Sequence, residues 1–559
     1  MKDNKVWFAE YTAGVPETIN PDAFDSLPHL FDHYAEVFSD RPVFTSFGVS
    51  MTYHHMKDQV NNFAAFLQKQ LKLKKGDRIA VMMPNLLQYP VSIFGALKAG
   101  LIVVNVNPLY TAPELAFQLK DSSAETIVVM ENFADRLEIA LPNTPIKNII
   151  IVKVGDMLGM IKGNFYNFVS RYIKNSIPRY VLNNAISFKR ALAIGEKYVC
   201  DYVGLKNTDE AFLQYTGGTT GRSKGAILTH RNIIANVLQC VSWIRGVKAQ
   251  QCGVMLGALP MYHIFSLTVC GMCIFPMGAS TLLIANPRDT AYLIKAIKHA
   301  SITMIIGLNT LFNAMLNHRS FASIDFSTLK LTISGGMAMQ KAVADRWQQV
   351  TGVPVLEGYG LTESSPVITL CPISKTYFTG SVGLPIPSTE VTIRDDSRQD
   401  LFFHKIGEIW ARGPQVMKGY WHAEEETNNV IDQQGWLRTG DIGYMDEHGY
   451  VFIVDRKKDM VLVSGFNVFP NEVEAVIASH PGVQTVAVIG VPNEKTGEAL
   501  KAFIIKKDPN LTRETLIAFC RKSLTGYKIP HFIEFRDTLP MSTVGKVLRR
   551  ELREETMKV

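Results

Sequence analysis

Residues 214–230, QYTGGTTGRSKGAILTH, bring glycines, threonines, a serine, an arginine and a lysine into one short stretch. Small residues let backbone N–H groups and hydroxyls come close to oxygen atoms, and Lys224 adds a mobile positive charge, so the stretch is suited to holding phosphate. It is not a P-loop. That motif requires lysine directly after the last glycine and a hydroxyl residue next. Here Arg222 and Ser223 separate Gly221 from Lys224, and Gly225 stands in the hydroxyl position. Three more stretches carry candidate chemistry: EGYGLTE (357–363) with the carboxylate of Glu363, GWLRTGDIG (435–443) with Asp441, and STVGKVLRR (542–550) with Lys546. Taken singly, these read as a capping glutamate, a turn aspartate and a solvated basic face.

The elements that must position these groups follow from hydrophobic patterning. RIAVMMP (78–84), LIVVNVNP (101–108), TIVVM (126–130) and NIIIVKV (148–154) predict buried strands, with helices at FGALKAG and ELAFQLKDS between them. MIIGL (304–308), LTIS (331–334) and VPVLEGYG (353–360) predict more strands. Strand and helix in alternation predict an α/β fold with mostly parallel sheet. From about residue 380 the strands shorten, and GEIWARGPQVMKGYW and GYVFIVDR predict a β-rich subdomain. The charged burst DRKKDMVLVSG (455–465) divides a large domain, 1–455, from a small α+β domain, 456–559.

Composition narrows the class. The 559 residues are 47% hydrophobic and 19% charged, which supports a large core and excludes a disordered chain. A net charge of +7 argues only weakly for nucleic acid and suits polyphosphates or an anionic membrane equally well. Seven scattered cysteines predict reduced intracellular thiols. Cys270 and Cys273 form a C-x-x-C with no second pair or histidine cluster, so ordinary core packing is expected. The charged N-terminus predicts no secretory signal. Residues 249–287 lack Asp, Glu, Lys and Arg, yet Pro260, His263 and Pro276 interrupt them; a buried core segment is expected there rather than a span of ~20 apolar residues.

Together and in this order, YTGGTTGRSKG, EGYGLTE, GWLRTGDIG with DRKKDMVLVSG, and STVGKVLRRELR resemble the motifs of the adenylate-forming (acyl-activating) superfamily. MMPNLLQYPV, VVNVNPLYT, NPRD and LTGYKIP extend the similarity, nearly end to end, to the bacterial long-chain-fatty-acid–CoA ligases. The resemblance implies a large N-terminal domain of mostly parallel sheets flanked by helices, a β-rich subdomain and a small mobile α+β domain. It also implies the reaction. A fatty acid carboxylate attacks the α-phosphorus of ATP, pyrophosphate leaves, and coenzyme A then displaces AMP.

Site roles follow from the resemblance, position by position. Thr216, Gly217, Gly218, Thr219, Thr220, Gly221 and Lys224 cradle the departing phosphates, although Ser223 stands where family members often have proline. Glu363 and Thr219 hold Mg²⁺, which takes hard oxygen ligands and usually only one or two from protein. Gly335 and Gly336 lie on one side of adenine and Tyr359 on the other, within Glu357, Gly358, Gly360 and Thr362, the two flanking glycines keeping the backbone clear of the ring. Asp441 accepts from the ribose hydroxyls, with Arg456 as a second contact. Lys546 stabilises charge growing on the α-phosphate, Lys458 is the hinge, and Ser464, Gly465 and Phe466 line the coenzyme A path, where a side chain in place of Gly465 would obstruct the pantetheine arm. His263 is either a core histidine or a neighbour of the carboxylate.

A different carboxylate, medium-chain, aryl or amino acid, is the neighbouring reading, and a module that only traps acyl chains at a membrane is another. An oxygenase using the same adenylate is a third, without a separate motif to test it. Nucleic acid is not expected as a partner, and a homodimer is left open. The expected setting is cytoplasmic, with peripheral attachment to the inner face of the membrane as a further expectation. For that, Phe165, Phe168, Val169, Tyr172 and Ile173 recur at helical spacing, among Lys162, Arg171, Lys174 and Arg179 and no acidic residue. The competing expectation is a core-facing helix with a solvated back.

Overall fold

The computed structural model describes residues 5–216, 223–245, 253–542 and 545–557. Among them the strands form four sheets. The first four predicted runs are the strands Arg78–Met82, Ile102–Asn105, Thr126–Met130 and Asn148–Val152, parallel and adjacent. Glu210–Thr216 joins them in parallel, and Lys224–Thr229 returns antiparallel beside it, completing most of an eight-stranded sheet. Alternation along a strand sends successive side chains to opposite faces. Thus Ile79 and Val81 enter the central core, while Ala80 and Met82 enter a second apolar cluster behind the sheet. The helix Gln88–Lys98, expected at FGALKAG, is buried on every side from Gln88 to Leu97.

A nine-stranded sheet holds the later strands. Val254–Gly257, Ser280–Leu283, Met304–Gly307, Leu331–Gly335 and Val355–Gly360 run parallel, so their C-terminal ends share one edge. The charge-free stretch becomes the strand Val254–Gly257 and a helical run from Ile264 to Met277, its middle turns wound i→i+5 and its core-facing residues buried, as expected. Among the described residues no helix is long and apolar enough to cross a membrane.

Glu390–Arg394, Gly407–Arg412, Leu437–Met445 and Val451–Arg456 form the expected β-rich subdomain, an antiparallel four-stranded sheet. After the short turn Lys457–Asp459, the strands Val461–Val463, Phe466–Val468, Val483–Asn493, Gly497–Lys506 and Phe532–Phe535 form the last sheet. With the helices Pro470–Ala478 and Arg513–Cys520 it encloses an apolar cluster of its own, around Val473, Val488 and Leu516. The helix Met160–Phe168 continues as an i→i+5 turn through Ile173, and Gly163 is its only buried residue. Phe165, Phe168, Tyr172 and Ile173 are exposed and Val169 is half-buried, so the expected stripe turns outward and the core-facing alternative fails.

Candidate active site

Where Leu331–Gly335 and Val355–Gly360 end, the chain encloses a cavity of about 780 Å³. Ligands of α/β sheets lie at such carboxyl ends, where the connections diverge and leave a crevice. Tyr359 lies on the wall, and its hydroxyl donates to Asp441 Oδ2 at 2.7 Å. Asp441 faces Arg456 across the antiparallel pair of strands, and the guanidinium Nε meets Asp441 Oδ1 at 3.0 Å. Asp441 is therefore buried with both oxygens engaged, its carboxylate held in place by a ring and a cation.

Lys546 reaches the same cavity from the C-terminal region, close to Gly336, where a Cβ would stand 3.9 Å from its Cε. Burial lowers its pKa to about 8; Arg456 pushes in the same direction and Asp441 opposes. His263 also lines the cavity, and its Nδ1 accepts from the backbone N–H of Phe265 at 3.3 Å. Burial, helped by the Lys546 charge, lowers its pKa to about 4, so the ring is neutral near pH 7. That arrangement serves as a helix cap and a polar wall rather than as a base.

Thr216 and Lys224 also line the cavity, at the two ends of the glycine-rich loop. Gly217, Gly218, Thr219, Thr220 and Gly221 lie outside the described residues. The Lys224 ammonium is 3.6 Å from Glu426 and 5.5 Å from the centre of the Tyr420 ring. Thr362 and Glu363 line the cavity beside them, and Glu363 Oε1 accepts from the Tyr420 hydroxyl at 2.6 Å. One carboxylate in a phosphate-sized space fits magnesium, which leaves most of its positions to water and phosphate. Among the described residues no cluster of three or more His, Cys, Asp or Glu could hold an ion alone.

Not every predicted residue arrives. Glu357 is buried away from the cavity and accepts from the backbone N–H of Met339 at 3.2 Å; burial raises its pKa to about 8. Gly335, Gly358 and Gly360 do line the cavity, but each also answers to the protein's own packing, Gly335 to the Phe265 ring. A Cβ at Gly360 would meet the Pro366 carbonyl at 1.9 Å, and one at Gly358 would touch Leu370. These last two make room for the returning strand rather than for a ligand ring. Lys458 stands on the cavity rim. Ser464, Gly465 and Phe466 form an exposed turn outside it. There both Ser464 and Gly465 have positive φ, and no atom lies within 4 Å of a Cβ added at Gly465, so the left-handed turn itself calls for glycine.

Two features had no sequence signal. Tyr420 sits in MKGYW, which reads as an ordinary edge strand. The cavity also sends an apolar arm along one face of the nine-stranded sheet, past Ile333 and Leu331, to Met255, Met304, Cys240 and Cys273. From Gly335 back to Leu331 that arm runs roughly 13 Å, at ~3.3 Å per strand residue. Cys273 is thus both core and cavity wall. Depth of this kind depends on residues from distant segments converging.

The chain is similar to known proteins over nearly its whole length. Residues 31–421 match the family described as AMP-binding enzyme, and residues 472–546 match the AMP-binding enzyme C-terminal domain. The long-chain-fatty-acid–CoA ligase of Yersinia pestis is 51% identical over 555 residues, covering 99% of both chains. That of Bacillus subtilis is 37% identical over 560 residues, again covering 99% of both. The anthranilate CoA ligase AuaEII, solved with anthranoyl-AMP, superposes with a TM-score of 0.84 over 96% of this chain and 98% of its own; at 24% identity it shows the shared fold.

Proposed function

Since the chain belongs to the AMP-binding enzyme family, alongside the long-chain-fatty-acid–CoA ligases, it activates a fatty acid to acyl-CoA with ATP, and we propose the following roles for its residues. Tyr359, with Gly335 and Gly336, faces the adenine, and Asp441 with Arg456 receives the ribose. Lys224 and the glycine-rich loop take the pyrophosphate end. Glu363, with Thr219, holds Mg²⁺, which would neutralise charge on the departing phosphates. The acyl chain lies in the apolar arm with its carboxylate toward the neutral His263. Lys546 brings positive charge to the α-phosphate as the carboxylate attacks, where a preorganised charge in a dry site acts most strongly.

The observation that carries this assignment is one cavity lined by Lys546, by Arg456 and by an apolar arm together, with Asp441 buried behind the wall and paired to Arg456 and Tyr359. The strand Val451–Arg456 keeps Arg456 with the large part, and the chain after Lys458 acts as a small domain that turns about that residue, after which Ser464, Gly465 and Phe466 replace Lys546 at the cavity and admit coenzyme A. Measuring coenzyme A-dependent AMP release over fatty acids of graded length tests the acyl arm. Release should be strongest with long chains; a preference for short or aryl acids would overturn that part.

A membrane surface is the second element of the proposal. Met160, Ile161 and Tyr172 are 81%, 89% and 70% exposed on the Met160–Ile173 segment, beside Phe165, Phe168 and Ile173 and the basic Arg171, Lys174 and Arg179. An apolar face among cations suits an interfacial segment on anionic lipid, where the substrate itself partitions. Pelleting with phosphatidylglycerol vesicles compares the chain with a Phe165/Phe168/Tyr172→Ser variant. Binding should fall; undiminished binding with the fold intact would remove this surface.

A further inference from the structure

We propose that Tyr420 is a positioning residue for adenylation: its hydroxyl fixes Glu363 and its ring holds Lys224, so one side chain sets both groups that receive the pyrophosphate end of ATP. The inference rests on the ligase reading above and deepens it.

The backbone around Tyr420 is fixed first. Gly419–Tyr420 adds an antiparallel edge to Lys224–Thr229, with Tyr420 opposite Ala226. Lys418 N–H donates to the Ile227 carbonyl and Trp421 N–H to that of Gly225, so residues on both sides of Tyr420 are tied to the strand that Lys224 begins. The Trp421 indole donates to the Asp121 carbonyl, and Asn232 donates to the carbonyls of Pro414 and Val416. Met417 N–H donates to the carbonyl of Glu363 itself. The segment therefore grips the main chain of Glu363 and the strand of Lys224 at once.

The side chain completes the arrangement. Its hydroxyl is 2.6 Å from Glu363 Oε1, and the Lys224 ammonium stands 5.5 Å from its ring centre. A carboxylate offers about four lone-pair directions, so accepting one hydrogen bond leaves ample capacity for a hard cation. What the bond removes is the freedom of a long side chain to turn away. The ring face favours a cation in front of it, which keeps Lys224 between Glu426 and the cavity rather than collapsed onto either.

The full-length chain, Tyr420→Phe, Glu363→Gln and the double variant test this in three measurements. Calorimetric titration compares MgATP with metal-free ATP, single-turnover assays follow palmitoyl-AMP formation, and a third assay follows capture of supplied palmitoyl-AMP by coenzyme A. In Tyr420→Phe, MgATP should bind about tenfold more weakly, as for loss of one hydrogen bond to a charged group. Metal-free ATP and capture by coenzyme A should be unchanged. Added to Glu363→Gln, the change should cost almost nothing further, since the hydroxyl acts through that carboxylate. Tyr420→Leu, which also removes the ring, should weaken metal-free ATP as well. Unchanged MgATP binding in Tyr420→Phe, or a full additive loss in the double variant, would overturn the inference. Failure of the unaltered chain to form palmitoyl-CoA would instead overturn the ligase reading beneath it.

Discussion

The two halves of the active site are attached to the molecule by different physics. Tyr359, Gly335 and Gly336 stand at the ends of parallel strands that are paired on both sides and packed over the main apolar core. Lys546 belongs to a region whose sheet has an apolar cluster of its own. Beside the turn Lys457–Asp459 that region reaches the large part through a charged group: Arg549, held in its own region by Asp459 at 3.3 Å and Glu474 at 2.7 Å, contacts Asp455 across the junction at 3.3 Å, and Asn471 N–H donates to the same carboxylate at 2.7 Å. An apolar seam would have to be exposed to water before it could separate. Ion pairs can exchange partners, or take water in their place, while each half keeps its own core. On the proposed two-step cycle, the difference suits one wall to stay and the other to leave.

The strongest way to break this comparison is to remove the movable group. Lys546→Ala should reduce acyl-AMP formation by about three orders of magnitude, the upper range for loss of one preorganised charge or donor at a transition state. Capture of supplied acyl-AMP by coenzyme A should stay within about twofold, because in the proposed cycle that step uses the turn at Ser464–Phe466 instead. Separate single-turnover assays of the two steps check it, and equal losses in both would show that Lys546 does not belong to one step alone.

A smaller effect sharpens the same point through pH. Lysine ordinarily titrates near 10.5, and burial lowers Lys546 to about 8. Its catalytic form is the cation, so kcat/KM for ATP in acyl-AMP formation should fall as pH rises above about 8, toward tenfold per pH unit. Folding responds in the opposite sense. Between about 8 and 10.5 the unfolded chain holds the proton that the folded chain has lost, so this group's contribution to stability rises with pH. Lys546→Arg, which stays protonated, should lose the falling limb. Persistence of that limb in the arginine variant would assign it to another group.

How much could be read from sequence follows the same division. The strands at 78–82 and 126–130 were legible because a buried parallel strand leaves a nearly continuous apolar run. Lys546 and Glu363, to which the motif resemblance pointed, both line the cavity, and Asp441 lies behind its wall on Arg456. Glu357 was misplaced toward the cavity: it shares a strand face with Tyr359 but lies two residues further from the strand's end, where its carboxylate is taken up by the Met339 N–H. The roles of Gly358 and Gly360 were misread for a related reason: the strand returning at Val367–Leu370 packs on them, and sequence does not show what will return. Tyr420 and the floor of the apolar arm stayed hidden. Each takes its meaning from a partner far along the chain, Glu363 in one case and residues from five separate segments in the other.

The last and smallest effect compares the two kinds of attachment directly. Asp455 lies on the last strand of the four-stranded sheet, fully buried, yet its carboxylate serves the other side of the turn. It accepts from Asn471 N–H at 2.7 Å and faces Arg549 at 3.3 Å. Asp455→Asn preserves shape and removes the charge, and Arg549 keeps Asp459 and Glu474, so no cation is orphaned. The orientation that presents Lys546 should lose about one hydrogen bond's worth of preference, a shift of about fivefold. Acyl-AMP formation should slow by up to that factor while capture by coenzyme A holds or improves. Val355→Ala is the matched change in the fixed wall, trimming a side chain that is 1% exposed in the main core. It should lower Tm and leave the ratio of the two steps unchanged, because both use the same strand ends. If Asp455→Asn lowers both steps equally, as Val355→Ala is expected to do, the charged junction is as fixed as the sheet and the movable half must part from the large one elsewhere.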